Sequence, residues 1–548
     1  MKKQLVSTFV AITALPAAVW AQKTPVKDTA IRGATIEVIQ SYKPVVKQAP
    51  KPEFVPSLPP ADTSRPPLTY DVPAQTLYFT YHSIPLRPLA LGHDTLANPF
   101  PNYVKLGGGN LSTLYLDAGI AALKGRNYET AIHLHHISQQ GDMDGQKSSI
   151  TGGEAEGTLH TDKLVWNAGA GLNLYRYKMY SQIDGNSDHP DANLTLLQLT
   201  LGARNAAPNA SGVDYHPEIN FSYADGTVNS EVNVGFNLPF TKQVDSSLSV
   251  EAGVNGAISQ LKYVDGSDAV GNSFVQLRPG LKYHKNGFYG HVFLNPTWGQ
   301  NHDKSNVYLL PDILAAYTLP RSHFTIKAGW QALLHQNRFE QLYLKNPYFA
   351  YNNFAFVTQH MQTRSDEVFA GVESNIGNHL VFSGRVSWWA YQNLPMIVNT
   401  MSDASRFNVL YDPSVNALSL QANLRYQISN SFAIGVSGTW FSYSKKTYDR
   451  VWNEPNVRLR ADLLFKPIPD LTITAYSSVL DGIYTLDGTG KEVKLKGILD
   501  LGGGAEYQII PRLGAFIQVN NLLNNHYERW LGYPSYGLNI YGGLRLKF

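Results

Sequence analysis

Residues 537–548 alternate without a break. Leu538, Ile540, Gly542, Leu544, Leu546 and Phe548 fall on one face, with Asn539, Tyr541, Gly543, Arg545 and Lys547 on the other. A period of two is that of a β-strand. The pattern recurs over residues 228–238, where Val228, Val232, Val234, Phe236 and Leu238 oppose Asn229, Glu231, Asn233 and Asn237. Residues 418–426 and 457–465 repeat it, with Gln421, Asn423, Arg425, Arg458, Arg460 and Asp462 on the polar face. A soluble sheet would turn its apolar faces to a shared core. Apolar faces set repeatedly against polar ones instead fit a transmembrane barrel with lipid outside and water within, whose closure leaves no backbone edge unpaired. Phe548, the terminal aromatic, is expected to be the signal by which barrel assembly machinery recognises the last strand.

The N-terminus predicts export. Lys2 and Lys3 precede an apolar run over residues 5–20, and Val19-Trp20-Ala21 precedes Gln22, as in a cleaved signal peptide of residues 1–21. With Cys 0 there is no cysteine for a lipoprotein anchor, a disulfide framework or thiol chemistry. No other stretch approaches the ~18–20 apolar residues of a spanning helix. Aromatic residues make up 12% and charged residues only 16%, a balance that suits a wall apolar on one face. A net charge of +3 is too small for a nucleic-acid surface. No Ser/His/Asp order stands out, so neither catalysis nor a cofactor is expected.

Residues 22–102 carry 14 of the 31 prolines, among them Pro44, Pro50, Pro52, Pro56, Pro59, Pro60, Pro66 and Pro67. Proline fixes φ and donates no ladder hydrogen bond, which predicts an extended periplasmic segment rather than a globular domain. Its apolar positions Leu77, Phe79, Tyr81, Ile84, Leu86 and Leu89 suit a cap on the lumen. Residues 103–548 divide into about 22 strands, or 20 if the weakest, at 103–109, is discounted. Short turns are expected near residues 124–127, 160–163, 284–287, 319–322, 376–378, 430, 466–470 and 510–512. Longer outer loops are expected near 141–147, 181–191, 264–271, 299–305, 337–365, 395–412, 444–455, 481–494 and 521–535. Between residues 191 and 264 the length rule fades, because the inner turns at 203–212 and 239–246 exceed the outer one at 224–226.

The run Val519-Asn520-Asn521-Leu522-Leu523-Asn524, then Tyr527-Glu528-Arg529-Trp530 and the strand from Tyr541 to Phe548, resembles the barrel end of TonB-dependent receptors. Those receptors carry a plug of well over a hundred residues before the barrel, more than residues 22–102 can supply. The front end, with Tyr42-Lys43-Pro44 and Asn102-Tyr103-Val104-Lys105-Leu106-Gly107-Gly108-Gly109-Asn110, resembles a plugless group of such proteins from Bacteroidota. Thr35, Ile36, Glu37, Val38 and Ile39 are similar to a TonB box, the short strand that pairs with the energising TonB protein.

Several constellations are candidate sites. The 337–365 loop gathers Phe339, Tyr343, Tyr348, Phe349, Tyr351, Phe354 and Phe356, either as a lid or ligand-stacking loop or as packing folded into the mouth. His133, His135 and His136 share one strand, where wall histidines are the better reading than a metal site. Asp184, Asp188, Asp191, Asp265 and Asp268 match no calcium loop and read as solvated acids. Arg425, Arg458, Arg460, Arg545 and Lys547 form either an anion-favouring lumen or, the favoured reading, partners of Asp462, Glu231 or the proline-rich segment. The expected function is uptake or capture of a solute. The alternative is a non-transporting scaffold that binds periplasmic or lipoprotein partners. Outer-membrane lipids are expected partners in both readings.

Overall fold

The computed structural model describes residues 102–548 apart from 122, 124, 182, 184–188, 208–210, 264–268, 302–303, 350–360, 378, 401–404 and 445. The signal peptide, the proline-rich segment and residues Thr35–Ile39 lie outside the described residues.

One antiparallel sheet closes on itself. The first strand, Tyr103–Gly109, pairs on one side with Leu114–Ile120 and on the other with the last strand, Asn539–Lys547, from Tyr103 opposite Lys547 to Gly109 opposite Tyr541. The strand that was weakest by pattern is thus fully paired and supplies the closing seam. Two barrel strands are interrupted. Val213–Tyr215 and Glu218–Gly226 are one crossing broken at His216-Pro217, and Val270–Leu277 and Gly280–Lys285 are one broken at Arg278-Pro279. Proline has no N–H for the ladder, and a break or bulge is where a sheet tolerates it. Counting each pair once, the 24-stranded sheet is a barrel of 22 crossings, the number expected from the alternation.

Side chains follow the parity read from the sequence except at Val228, which lies in the turn before Asn229–Gln243 and packs against a buried apolar cluster instead of facing outward. Leu418, Leu420, Leu424, Ile540, Leu544 and Leu546 are exposed on the outer face, whereas Asn229, Glu231, Asn233, Asn539 and Tyr541 are buried toward the interior. Exposed apolar side chains on this scale cover far more than the patch a soluble monomer tolerates. Aromatic girdles bound the apolar band. Tyr128, Tyr283, Phe288, Tyr317, Phe324, Tyr426, Phe465 and Tyr507 lie within a few residues of the short turns, and Trp298, Trp388 and Trp440 lie toward the longer loops. Such girdles mark the two interfaces of a bilayer. No helix among the described residues is long and apolar enough to cross a membrane.

Short turns lie mostly on the side of Phe548 and longer connections on the other, except that the inner connection over residues 206–212 exceeds the outer one at 227–228, in the region where the sequence already shows the length rule fading. Three outer segments differ from simple loops. The 299–305 loop shrinks to residues 302–303, because Phe288–Asn301 and Lys304–Thr318 stay paired up to Asn301 opposite Lys304. The 395–412 loop folds as a hairpin, Leu394–Asn399 with Phe407–Asp412. The 337–365 loop begins with a short helix, Phe339–Lys345.

Candidate functional site

Loops from distant parts of the barrel meet over its outer mouth. The helix Phe339–Lys345 supplies Phe339, Leu342 and Tyr343, and the chain beyond it supplies Tyr348 and Phe349. The hairpin over residues 394–412 adds Ile397, Phe407, Val409 and Tyr411. A second hairpin, Glu528–Trp530 with Tyr533–Pro534, adds Trp530 and Tyr533. All are buried in one apolar cluster that continues onto Leu194, Leu196, Leu261 and Val270 of the inner wall. Tyr348 stacks on Tyr533 with ring centres 3.7 Å apart, Phe407 meets Trp530 edge-on at 5.4 Å, and Tyr180 meets Tyr533 at 5.2 Å. The two edge-on pairs add to the burial they bring.

Hydrogen bonds tie this roof to the wall. The Tyr343 hydroxyl donates to the Ala192 carbonyl at 2.7 Å, and the Tyr180 hydroxyl and Gln146 Nε2 both donate to the Pro534 carbonyl at 3.0 Å. Glu231, buried on the wall, accepts the Phe339 amide at 2.7 Å. Gly532 has φ +83 in the turn of the second hairpin, and a Cβ there would lie 2.7 Å from Ser181 Oγ. Both the backbone and the space call for glycine. At the rim, Glu454 bonds Lys345 and, at 2.6 Å, Arg458, while Arg529 Nη2 donates to the Asn453 carbonyl at 2.8 Å.

Beneath the roof is a pocket of about 600 Å³. Asn220, Asn233, Asn237 and Asn255 line it from the wall, Gln336, Asn337 and Gln341 from the roof, and Phe274 and Tyr391 supply rings. Its lining holds no carboxylate, and the one guanidinium, Arg338, pairs with Glu340 at 2.8 Å. Gln336 Nε2 donates to the Asn272 carbonyl at 2.6 Å and Asn337 Nδ2 to the Met361 carbonyl at 2.6 Å, so roof residues are fixed on both sides of the pocket. Gly235 leaves room for the Asn220 amide, whose Oδ1 would lie 2.3 Å from a Cβ there. The site is neutral and rich in donors and acceptors.

The structure distributes the other sequence candidates as follows. Phe339, Tyr343, Tyr348 and Phe349 sit inside the roof core, and burial pushes the Tyr348 phenol well above its ordinary value. Tyr351, Phe354 and Phe356 lie outside the described residues. Among the basic residues, Arg460 pairs with Asp462 at 2.9 Å, Arg458 with Glu454, and Arg545 with Glu506, which also holds Lys105 at 2.7 Å; Lys547 donates to Gln508 and Arg425 to Gln427 at 3.4 Å. Glu231 binds the Phe339 amide and Ser259. His133 faces inward on Asp117 at 2.9 Å, and His136 faces outward on Thr151 at 2.7 Å. Asp191 pairs with Lys178 at 3.1 Å; Asp184, Asp188, Asp265 and Asp268 lie outside the described residues. Sequence reasoning missed Phe407, Tyr411, Trp530, Tyr533 and Glu454 as roof residues. The signal at hand was aromatic density in the outer loops, which marks a core but not which loops share it.

No family model and no curated protein matches the chain. Solved structures do match in fold. The FrpB iron transporter from Neisseria meningitidis aligns at TM-score 0.63 with 12% identity over 83% of each chain. The copper transporter OprC aligns at 0.60 with 12% identity over 82% of this chain and 80% of its own. The ferripyoverdine receptor of the outer membrane of Pseudomonas aeruginosa aligns at 0.60 with 11% identity over 82% and 72%. The chain is similar to these proteins in its 22-stranded barrel fold.

Proposed function

We propose that this protein is an outer-membrane barrel of the transport class, resembling TonB-dependent receptors, that captures a solute and takes it up through the lumen. The observation that carries this reading is a closed barrel whose outer mouth is roofed by loops that also line the pocket below. Gln336, Asn337 and Gln341 belong to roof and pocket at once, so a ligand that rearranges them acts on the roof. The fold neighbours' descriptions as copper, iron and ferripyoverdine transporters or receptors support uptake as the class; their ligands are their own. Energisation by TonB through Thr35–Ile39, a periplasmic proline-rich segment in place of a complete plug, a Bacteroidota-type origin, insertion by the barrel assembly machinery through Phe548 and the absence of catalysis complete the proposal.

The second reading, a scaffold for partner proteins, is favoured by the density of the roof core, where Phe407 and Phe339 are buried at 0% and 1% exposure. Replacing residues 396–411 by a short Gly-Ser turn tests the roof. Single-channel conductance in planar bilayers should rise, and cells should become sensitive to large antibiotics. Unchanged conductance in a folded variant would mean that the roof is not the seal. A further rise on deleting residues 30–95 would assign that segment its expected sealing role. Deleting residues 35–39 should abolish energised uptake at unchanged barrel levels; loss of co-purifying proteins with no transport phenotype would favour the scaffold.

A further inference from the structure

The outer face of the wall carries a cationic notch at the level where lipid headgroups end. Over Leu164–Lys178, Trp166, Ala168, Ala170 and Leu172 face outward and exposed, while Asn173 is buried inward and Tyr175 and Tyr177 pack inward against the roof cluster. The same parity directs Arg176 and Lys178 outward at the outer end. Their cross-strand neighbours agree. Arg176 lies opposite Ser149 and Asn193, and Lys178 opposite Asp191. Lys147, opposite Gln140, completes the group. Together with Ser138 these residues line an outward cavity of about 360 Å³.

Three cations face one carboxylate, a local balance of +2. Asp191 bonds Lys178 Nζ at 3.1 Å. Arg176 reaches only neutral oxygens, the carbonyls of Tyr175 at 3.2 Å and Leu194 at 3.4 Å and the Thr195 hydroxyl at 3.4 Å. The nearby Asp144 is engaged by His189 at 3.3 Å. Other outward cations of the outer rim are arranged differently. Arg364 is held by Asp366 at 2.7 Å, and Lys262 stands on another strand pair. Below the notch the same face is apolar. Leu172, Leu134 and Leu199 are exposed, and Leu172 lies about 13 Å from Arg176 at about 3.3 Å per residue.

We propose that this notch binds a phosphorylated lipid of the outer leaflet, its phosphate held by Lys147, Arg176 and Lys178 and its acyl chains laid on Leu134, Leu172 and Leu199. Guanidinium and ammonium groups match phosphate oxygens, and Ser138, Ser149 and Asn193 supply neutral donors around them. The apolar floor distinguishes a lipid from a free anion, because only a lipid uses both halves of the surface. The inference rests on the outer-membrane reading but not on transport, because the notch lies on the outside of the wall.

The test uses the full chain purified in mild detergent and examined by native mass spectrometry with diphosphoryl lipid A, a dephosphorylated lipid A and inorganic phosphate as separate probes. The wild type should retain diphosphoryl lipid A about tenfold better than the K147S/R176S/K178S variant, a difference of ~1.4 kcal/mol. It should also prefer that lipid to the dephosphorylated form. Equal retention by wild type and variant, or equal retention of both lipids, would overturn the proposal. Inorganic phosphate binding without lipid binding would overturn it too, as a free-anion site. The single variant Arg176→Gln, expected to fold like the parent and show a smaller loss, covers the case in which the triple variant fails to insert. A protein that binds lipid but carries no solute would refute the transport reading and leave the lipid site standing.

Discussion

The wall sends its large apolar side chains outward to lipid, whereas the roof draws its own inward. Leu420 on the wall is 45% exposed, and Phe407 in the roof is 0% exposed. The wall needs no internal core, because its ladder satisfies the backbone and the bilayer takes its apolar face. The roof, made of loops in water, must bury aromatics like any soluble domain, and it does so across strands far apart in sequence. The two regions therefore answer to different solvents and should fail independently.

The largest effect that can separate them is a cavity in the roof. Phe407→Ala or Trp530→Ala removes a buried ring from the centre of the cluster and should cost about 3–5 kcal/mol of roof stability. Hydrogen exchange should accelerate over residues 394–412 and Phe339–Lys345, while the heat-modified gel shift of the barrel stays put. If the barrel melts together with the roof, the two form one cooperative unit and the contrast fails.

A charge on the wall is the converse probe. Leu420→Arg should cost about 2–4 kcal/mol near the bilayer midplane, and Gln421→Arg, one residue on and facing the lumen, should be close to neutral. Equal folding yields of the two in lipid vesicles would remove the distinction between the faces. A smaller loss is expected at the seam. The Phe548 amide donates to the Asn102 carbonyl at 3.1 Å, beyond the last ladder pair between Tyr103 and Lys547. Deleting Phe548 should lower the amount of inserted barrel without changing the roof's exchange pattern, and insertion at parental levels would show that the seam closes without it.

The same contrast explains what the sequence made legible. Parity is a local signal, so Val232 outward and Asn233 inward follow from neighbours two residues away, and the strand count follows from repeating that step. The two interrupted crossings, at Pro217 and Pro279, were not legible in this way, because Pro239, Pro296 and Pro311 stand in unbroken strands. The roof is a non-local object. Phe407 and Trp530 are 123 positions apart yet meet at 5.4 Å, and no periodicity links them. The pocket was illegible for the same reason, since its Asn233 and Gln336 come from strands and loops joined only by closure of the barrel. The pair Lys105–Glu506 likewise needs the first and last strands to be adjacent, because it reaches across the seam.

The smallest effect concerns pH and reaches the roof alone. Burial by itself would raise the Glu454 carboxyl, but Lys345 and Arg458 outweigh it and hold the group below its ordinary 4.5. A carboxylate whose folded pKa is depressed stabilises the fold fully above its unfolded pKa, and that contribution is lost as pH falls through the folded one. The clasp between the helix Phe339–Lys345 and the loop bearing Glu454 should therefore hold at neutral pH and loosen only below pH 4.5. The Lys345 and Arg458 side chains are 39% and 43% exposed, so screening limits the effect to about 1 kcal/mol. Hydrogen exchange in Phe339–Lys345, expressed relative to the intrinsic amide rate at each pH, should rise below that pH in the parent and be independent of pH in Glu454→Gln. The wall strands should stay protected throughout. A rise of equal size in Glu454→Gln would show that other carboxylates hold the roof. A loss of protection in the wall over the same range would show that acid acts on the whole barrel rather than on its roof.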